Sequence, residues 1–221
     1  MCARYSITKE EIRILIGEIE IIIAIGARYN IAPTQLVPII FPRKGGGFQA
    51  TEMTWGWQPQ FTSQLLINAQ AESIESKPTF KNVLHQRCLL PADGFYEWTG
   101  ERAERRPVRF TKPDDALFCM AGLWRETTTQ PEDVPVTTRS LVVLTTTPNK
   151  TVGKIHNRMP FIVKPEHYRW WLDEGELFRT VLNFPDRDEL NHCPVQPALN
   201  NVRSEGPELI RPYVKAQQDL F

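Results

Sequence analysis

Short runs of apolar and β-branched residues recur along the chain, each bounded by proline, glycine or aspartate. They read RCLLPA (87–92), PVRFT (107–111), LFCMAGLW (117–124) and LVVLTT (141–146). Runs of this length and composition between turn-forming residues are typical of β-strands. We therefore predict an α+β fold, as one domain over residues 1–221, with a barrel-like mixed or antiparallel sheet and a few flanking helices. A chain of 221 residues is long enough to bury a core of that size.

Two segments carry a helical pattern. Thr8 and Glu11 have the spacing of a capping box, and the apolar residues that follow recur at helical intervals. Isoleucines at alternate positions from Ile19 to Ile25 would equally suit a strand, so we predict a helix from Thr8 and leave its end open. A second helix is predicted over residues 166–182, EHYRWWLDEGELFRTVL, with Trp171 near its apolar seam.

Three further segments are predicted to be non-helical. RYNIAP (28–33) should be extended, because Pro33 disfavours helix at the residue before it. The glycine-rich stretch PRKGGGFQ (42–49) and the polar, proline-bearing stretch ETTTQPEDVPVTTR (126–139) are predicted loops.

The charge and cysteine content exclude several classes of function. Lys+Arg and Asp+Glu both number 26, so nucleic-acid affinity would have to come from a local patch. The cysteines are Cys2, Cys88, Cys119 and Cys193, and no pair has CxxC spacing, which argues against a zinc knuckle or redox motif. We expect no metal and no cofactor. The start lacks the pattern of a secretory signal, and no apolar run is long enough to span a membrane, so a reducing cytoplasm is expected.

Cys2 stands directly behind the initiator methionine. If Met1 is removed, Cys2 carries a free α-amine and a thiol on adjacent carbons, a combination that no internal cysteine offers. An α-amine has a pKa of about 7.7–8.0, so part of it is unprotonated at neutral pH. Cys2 is therefore either an N-terminal nucleophile or a small residue near the terminus without a chemical role.

Three internal motifs hold candidate acid–base or orienting groups. Glu97 lies between Tyr96 and Trp98, and it either faces solvent or sits in a partly apolar pocket that would raise its pKa. His156 in KIHNRMP is either structural or a proton carrier. Asn68 opens NAQAES, where it could be a cap or turn residue or an orienting group.

In combination and order, seven motifs closely resemble those of the SRAP family, the SOS-response-associated peptidases. They are MCARY, RYNIAPTQ, WGWQP, NAQAES, CLLPADGFYEW, KIHNRMP and NNVRSEGPEL, and they run from residue 2 to about residue 212. The resemblance implies that the chain traps abasic sites in single-stranded DNA. The amine of Cys2 would condense with the sugar aldehyde, and its thiol would close a thiazolidine ring. The resemblance also implies a cysteine peptidase activity that removes Met1, an associated lyase activity, a monomer, and action in the cytoplasm, at the nucleoid if the chain is bacterial.

By matching motifs, the resemblance also implies roles for particular residues. Asn68 would orient the amine or the sugar, Glu97 would move protons during Schiff-base formation, and His156 would assist opening of the sugar. The implied DNA contacts are phosphate binding by Arg4 and Arg158 and an apolar platform for bases made by Trp57, Pro59 and Phe61.

The chain departs from the family pattern at several positions: Ala3 replaces a glycine, Gln70 an arginine, Gln196 a serine, and the aromatic tract after WGWQP is reduced to Phe61. Two other readings stay open. One is an N-terminal-nucleophile hydrolase, a peptidase or glutamine amidotransferase without a DNA role, although no further glutamine-binding motif is present. The other is a non-covalent reader of modified or single-stranded DNA.

Overall fold

The computed structural model describes residues 3–59, 62–101, 104–130, 134–173, 175 and 177–214. Within these ranges the strands are β1 (Tyr5–Ile7), β2 (Glu11–Ile16), β3 (Ile19–Ala24), β4 (Arg28–Ile31), β5 (Leu36–Pro42), β6 (Phe48–Trp55), β7 (Asn68–Gln70), β8 (Arg87–Ala92), β9 (Gly94–Thr99), β10 (Arg106–Thr111), β11 (Phe118–Thr129), β12 (Val136–Thr146), β13 (Met159–Pro160), β14 (Ile162–Val163) and β15 (Asn191–Pro194). The helices are α1 (Pro78–Lys81), α2 (Tyr168–Leu172) and α3 (Leu177–Leu182), with short 3-10 turns between strands.

A closed barrel of five strands forms the larger part of the fold. Strand β12 pairs in parallel with β6 and in antiparallel with β11. The remaining neighbours run from β6 through β5 and β8 back to β11, so the ring is complete. Closure removes exposed sheet edges. The predicted strand-rich α+β fold with a barrel-like sheet is confirmed, and each of the four strand runs lies largely or wholly within a strand.

A second sheet, in the order β15-β10-β9-β1-β4, packs against the barrel. One buried cluster contains residues of both sheets, such as Phe95 and Phe110 of the second sheet with Leu90 and Met120 of the barrel. The ring of Tyr5 on β1 meets the ring of Trp55 on β6 edge-on, with centroids 5.5 Å apart. The two sheets therefore share a continuous core, which fixes their relative position.

A buried carboxylate ties the first strand to the second sheet. Asp93, in the tight connection between β8 and β9, is fully buried and accepts hydrogen bonds from Ser6 Oγ (2.8 Å) and Thr8 Oγ1 (2.7 Å). The guanidinium of Arg109 on β10 donates to the same carboxylate at 3.0 Å. Gly94 leaves room for this pair, since a Cβ there would stand 2.7 Å from Arg109 Nε. The network fixes β1 between β4 and β9.

The prediction of a helix from Thr8 is wrong, because this segment is the hairpin of β2 and β3. Alternate residues of β2 are buried, among them Ile12, Ile14 and Ile16, which is the period of a strand. Gly17 makes the tight turn at φ +62°, a conformation that glycine adopts without steric cost. The alternation of isoleucines was thus the correct signal, and β-branched side chains favour it.

The helix predicted over residues 166–182 is interrupted. The chain forms α2 and α3 instead of one rod, because Asp173 is extended at φ −63°, ψ 138° and its carbonyl accepts a hydrogen bond from Arg87. Trp171 is buried as predicted, and its Nε1 donates to Cys88 O at 2.9 Å.

Of the three segments predicted to be non-helical, two largely have the predicted conformation and the third is partly β-strand. RYNIAP is extended, and its first four residues form β4. PRKGGGFQ contains the turn between β5 and β6. The ends of ETTTQPEDVPVTTR, however, belong to β11 and β12, because an ion pair between Arg139 and Glu126 (2.9 Å) and close Thr128 and Thr137 hydroxyls (3.1 Å) continue the hairpin. None of the helices in the described part of the chain is long and apolar enough to cross a membrane.

The barrel interior has no space for a side chain at Gly122 on β11. A Cβ there would lie 2.6 Å from Leu90 Cδ1 and 2.9 Å from Cys88 Sγ. We expect Gly122→Ala to lower the free energy of unfolding by about 1–3 kcal/mol, as overpacking does, in a urea titration. Gly26→Ala is the control, because nothing lies within 4 Å of its Cβ position. Equal stability of the two variants would contradict the close packing of the barrel.

Candidate active site

Glu97 is buried on β9, next to the strand that carries the amino end of the chain. Its side chain is 3% exposed. Strands β1 and β9 are antiparallel with Tyr5 opposite Phe95, and the Tyr96 N–H donates to Arg4 O at 3.1 Å. Continuing this register by two residues from Tyr5 places Ala3 across from Glu97. The structure therefore leads the amino-terminal segment to the buried carboxyl group. Cys2 itself lies outside the described residues.

His156 faces Glu97 from the other side of the site. Its Nε2 is 3.9 Å from Glu97 Oε2. A 3-10 turn at Val152–Lys154 positions the ring, with the His156 N–H donating to Val152 O at 2.9 Å. Its Nδ1 accepts a hydrogen bond from the Arg158 N–H at 3.0 Å. Nδ1 also lies 3.0 Å from the Arg158 carbonyl oxygen, so its contacts fit either tautomer of the neutral ring, and Nε2 is the ring atom that faces the carboxyl group.

The two groups have shifted pKa values that suit proton exchange. Burial raises the pKa of Glu97 to about 7, and the positive charge of Arg105 opposes that rise. Burial lowers the pKa of His156, and the charges of Arg105 and Arg158 act in the same direction. At neutral pH the carboxyl group is therefore divided between its two protonation states beside a neutral imidazole. A group in this condition can both give and take a proton.

Arg158 connects two of the sequence motifs. Its Nη1 lies 3.0 Å from Glu72 Oε1 and its Nη2 2.8 Å from Glu72 Oε2, and Nη2 also donates to Thr145 O at 2.6 Å. Glu72 accepts further hydrogen bonds from Thr146 Oγ1 and the Thr147 N–H, both at 3.1 Å. Burial alone would raise the pKa of Glu72, but Arg158 holds it below its ordinary value. NAQAES and KIHNRMP are thus joined by a two-point ion pair.

Arg4 lies mostly inside the protein, with 8% of its surface exposed. Its Nη1 donates to Asn30 Oδ1 at 2.5 Å and to Leu199 O at 2.9 Å. Burial lowers its pKa. These bonds hold β1 to β4 and to the turn at Pro197–Asn200, so Arg4 has a structural role whether or not it also meets a phosphate.

The predicted apolar platform is largely inside the fold. Trp57 is 2% exposed, its ring lies 5.7 Å from that of Phe80, and the Arg125 guanidinium covers it at 5.0 Å. Pro59 is buried as well. The covered ring of Trp57 offers no open face for a base in this structure. Phe61 lies outside the described residues.

Asn68 is the first residue of β7, which pairs in parallel with β12 opposite Val143. Its side chain is half-buried. Two residues further on, Gln70 pairs with Thr145, the residue whose carbonyl binds Arg158. Asn68 therefore lies on the strand that leads to the Glu72–Arg158 pair.

Sequence reasoning did not identify several residues near this site. Glu72 belongs to the motif NAQAES, whose pattern gives it no role, and Trp98 is distinguished in the sequence only as a neighbour of Glu97. Arg105 and Asn200 carried no signal beyond their charge and polarity, because only the tertiary fold brings them to Trp98. Within the described ranges, no group of three or more His, Cys, Asp or Glu side chains is arranged to hold a metal ion.

Residues 1–202 match the family described as SOS response associated peptidase (SRAP). The chain belongs to this family.

Several characterised proteins are similar to the chain along most of its length. It is 32% identical over 193 residues to the abasic site processing protein YoqW of Bacillus subtilis, covering 82% of this chain and 84% of that protein. It is 27% identical to the abasic site processing protein HMCES of Xenopus tropicalis, covering 86% of this chain and 67% of that protein. A crystal structure of a protein from Bacteroides thetaiotaomicron has the same fold, with a TM-score of 0.70 at 21% identity, covering 84% of this chain and 85% of that one.

The raised pKa of Glu97 has a consequence for stability. Folding raises this pKa from 4.5 to about 7, so the stabilisation is fully present below about pH 4.5 and is lost as the pH rises through 7. We therefore expect the stability of Glu97→Gln relative to wild type to increase when the pH is raised from 5 to 8. Because one pKa unit corresponds to about 1.4 kcal/mol, the increase should be no more than a few kcal/mol. Urea titrations at both pH values measure the difference.

The matched control is Glu101→Gln, four residues along the chain and exposed to solvent. Its unfolding curve should follow that of wild type at both pH values. A Glu97→Gln variant that also follows wild type would show that the carboxyl group is not desolvated.

Proposed function

We propose that this chain processes abasic sites in DNA, and that it does so by trapping them covalently in single strands through Cys2 after removal of Met1. Membership of the SRAP family and the abasic-site names of the similar proteins support the processing role. The observation that carries the covalent step is the buried Glu97, with His156 at 3.9 Å, on the strand paired with the amino-terminal strand.

The chemistry needs both functional groups of an amino-terminal cysteine. An abasic deoxyribose equilibrates between a closed ring and an open-chain aldehyde. The α-amine of Cys2 adds to the aldehyde carbon to give a carbinolamine, which loses water to form an imine. The thiol then adds to the imine carbon and its proton passes to the nitrogen. The product is a five-membered thiazolidine and one water molecule, so no oxidant, metal or cofactor is required.

Glu97 and His156 divide the proton transfers in this sequence. The carbinolamine loses its hydroxyl group only if a proton is delivered to it, and a carboxyl group with a pKa of about 7 can deliver that proton at neutral pH. Opening of the sugar needs a proton at the ring oxygen and removal of one from the hydroxyl group. We assign this step to His156, whose Nε2 faces the site. Asn68 would orient the amine or the sugar.

The remaining assignments concern DNA contacts and associated activities. Arg158 and Arg4 would place positive charge along the phosphate backbone, and Phe61 would supply the apolar contact to a base, because Trp57 and Pro59 are buried. The Cys2 thiol is proposed to act also in hydrolysis of the Met1–Cys2 bond. The imine acidifies the neighbouring C2′ proton, so strand cleavage by β-elimination is a secondary lyase activity of the same intermediate.

The adduct should require both the thiol of Cys2 and a free α-amine on the same residue. We expect wild type, incubated with an oligonucleotide bearing one abasic site, to give a heat-stable shifted band on a denaturing gel. Cys2→Ser should lose that band, because a hydroxyl group closes the ring far less favourably, although borohydride should still trap its imine. Insertion of one residue before Cys2 should abolish the thiazolidine. A heat-stable adduct from the extended protein would exclude the ring mechanism.

The roles of Glu97 and His156 can be separated with two substrates. Glu97→Gln should slow adduct formation on any aldehyde by about 10²–10⁴-fold, the range expected for loss of a general acid. His156→Ala should slow trapping of the cyclic abasic sugar but leave reaction with a free-aldehyde probe nearly unchanged. The rates are measured by quenched gel assays between pH 5 and 9.

Equal slowing of His156→Ala on the two substrates would contradict its role in ring opening. His85→Ala is the control for loss of an imidazole, because His85 is exposed and precedes β8 on the barrel. It should match wild type on both substrates. A cysteine hydrolase without a DNA role would form no adduct with either one.

A further inference from the structure

Trp98 lies between two guanidinium groups at the rim of the site. The centre of the Arg4 guanidinium is 5.8 Å from the indole centroid, and that of Arg105 is 5.6 Å from it. Trp98 Nε1 donates to Asn200 Oδ1 at 2.7 Å, and Asn200 Nδ2 donates to Arg105 O at 3.1 Å. We call these four residues the Trp98 cluster. The members of the Trp98 cluster come from three separate parts of the chain, and the tertiary fold brings them together.

The two arginines of the Trp98 cluster differ in what they can still bind. Arg4 is 8% exposed and its Nη1 is used by Asn30 and Leu199. Arg105 is exposed, and among the described residues no acceptor lies within hydrogen-bond distance of its guanidinium. Stacking on a neutral indole orients a guanidinium without using its N–H donors. Arg105 is thus held in place with its donors available.

Arg105 also lies close to the reacting groups. Trp98 directly follows Glu97 on β9, and Arg105 immediately precedes β10, which pairs with β9 at these positions. Its charge acts on both Glu97 and His156. By contrast, the guanidinium of Arg158 is already held at two points by Glu72. Of these three arginines near the site, Arg105 is the exposed one whose guanidinium has no hydrogen-bond acceptor among the residues that the structure describes.

We propose that Arg105 binds a phosphate of the DNA strand adjacent to the abasic sugar, with Trp98 and Asn200 as its positioning residues. This rests on the proposed function, because it names a contact to the substrate strand of that site. A planar guanidinium meets two phosphate oxygens at once, which fixes the strand's direction as well as its distance. A phosphate held at the rim would keep the neighbouring sugar over Glu97 and His156.

The first test measures non-covalent binding, which does not depend on Cys2. Fluorescence anisotropy follows an intact single-stranded oligonucleotide, without an abasic site, over a range of salt concentrations. Arg105→Ala should weaken binding about threefold to tenfold near 0.1 M salt, and should reduce the slope of log K against log salt by about 0.7, the value for one phosphate on a single strand. Arg105→Lys should restore the slope and only part of the affinity, because it keeps the charge but not the planar fork.

The matched control is Arg106→Ala, which removes the same charge from the next residue, which is also exposed. It should change affinity and slope much less. Equal losses for the two variants would reduce the effect to general electrostatics and overturn the proposal, as would no loss for Arg105→Ala. Inorganic phosphate at matched ionic strength should compete poorly. If it displaces the oligonucleotide from wild type but not from Arg105→Ala, the site binds free anions and the proposal also fails.

The second test concerns the positioning residues. Asn200→Ala should weaken binding in the wild-type protein but have no further effect in Arg105→Ala, since a positioning residue acts only through the group it positions. Additive losses would contradict that role. The outcome is separable from the covalent chemistry. Binding that depends on Arg105 without any adduct would refute the trapping reaction alone, whereas adduct formation with Arg105-independent binding would refute this contact alone.

Discussion

The buried carboxylate of Asp93 is the interaction on which the geometry of the site depends. It accepts hydrogen bonds from Ser6 and Thr8 and pairs with Arg109, so it joins the first strand, the β8–β9 connection and β10. A buried charge must be fully paired, and removing any partner leaves the others desolvated without compensation. The Asp93 carboxylate is therefore stable in the interior only when all three of its partners are in place. It fixes β1 against β9 in the register that leads the amino-terminal segment to Glu97.

The five-stranded barrel and the second sheet give the reactive groups a rigid support. Glu97 is on β9, which pairs with β1 on one side and β10 on the other, and His156 follows a turn in which the N–H groups of Val152 and Gly153 donate to Asn149. The raised pKa of Glu97 is a direct result of this arrangement, because burial disfavours its charged form. A carboxyl group on an exposed loop would titrate near its ordinary value and be fully ionised at neutral pH. Burial by the fold thus raises the pKa of Glu97 to about 7, where a carboxyl group can donate a proton at neutral pH.

Three arginines near the site show how environment decides what one side chain can do. Arg4 is buried and bridges backbone elements, Arg158 is engaged by Glu72, and Arg105 is exposed and oriented by Trp98. Sequence alone treats them as equivalent positive charges. The balanced charge of the chain, 26 basic against 26 acidic residues, gives no general attraction to DNA, so the affinity must depend on a few well-placed donors.

The sequence by itself determined the fold class, the strands β8, β10, β11 and β12, and the family, because apolar and β-branched runs between turn residues favour strands and because the motifs are specific in combination. It predicted Glu97 and His156 as candidates without being able to bring them together. Its helix from Thr8 was wrong, since short apolar runs fit both periods until packing against the barrel selects one. The 3.9 Å approach of His156 to Glu97, the burial of Trp57 and the stacking of Arg105 on Trp98 were decided only by the tertiary structure. The first joins residues far apart in the chain, the second depends on the packed core, and the third depends on the pairing of β9 with β10.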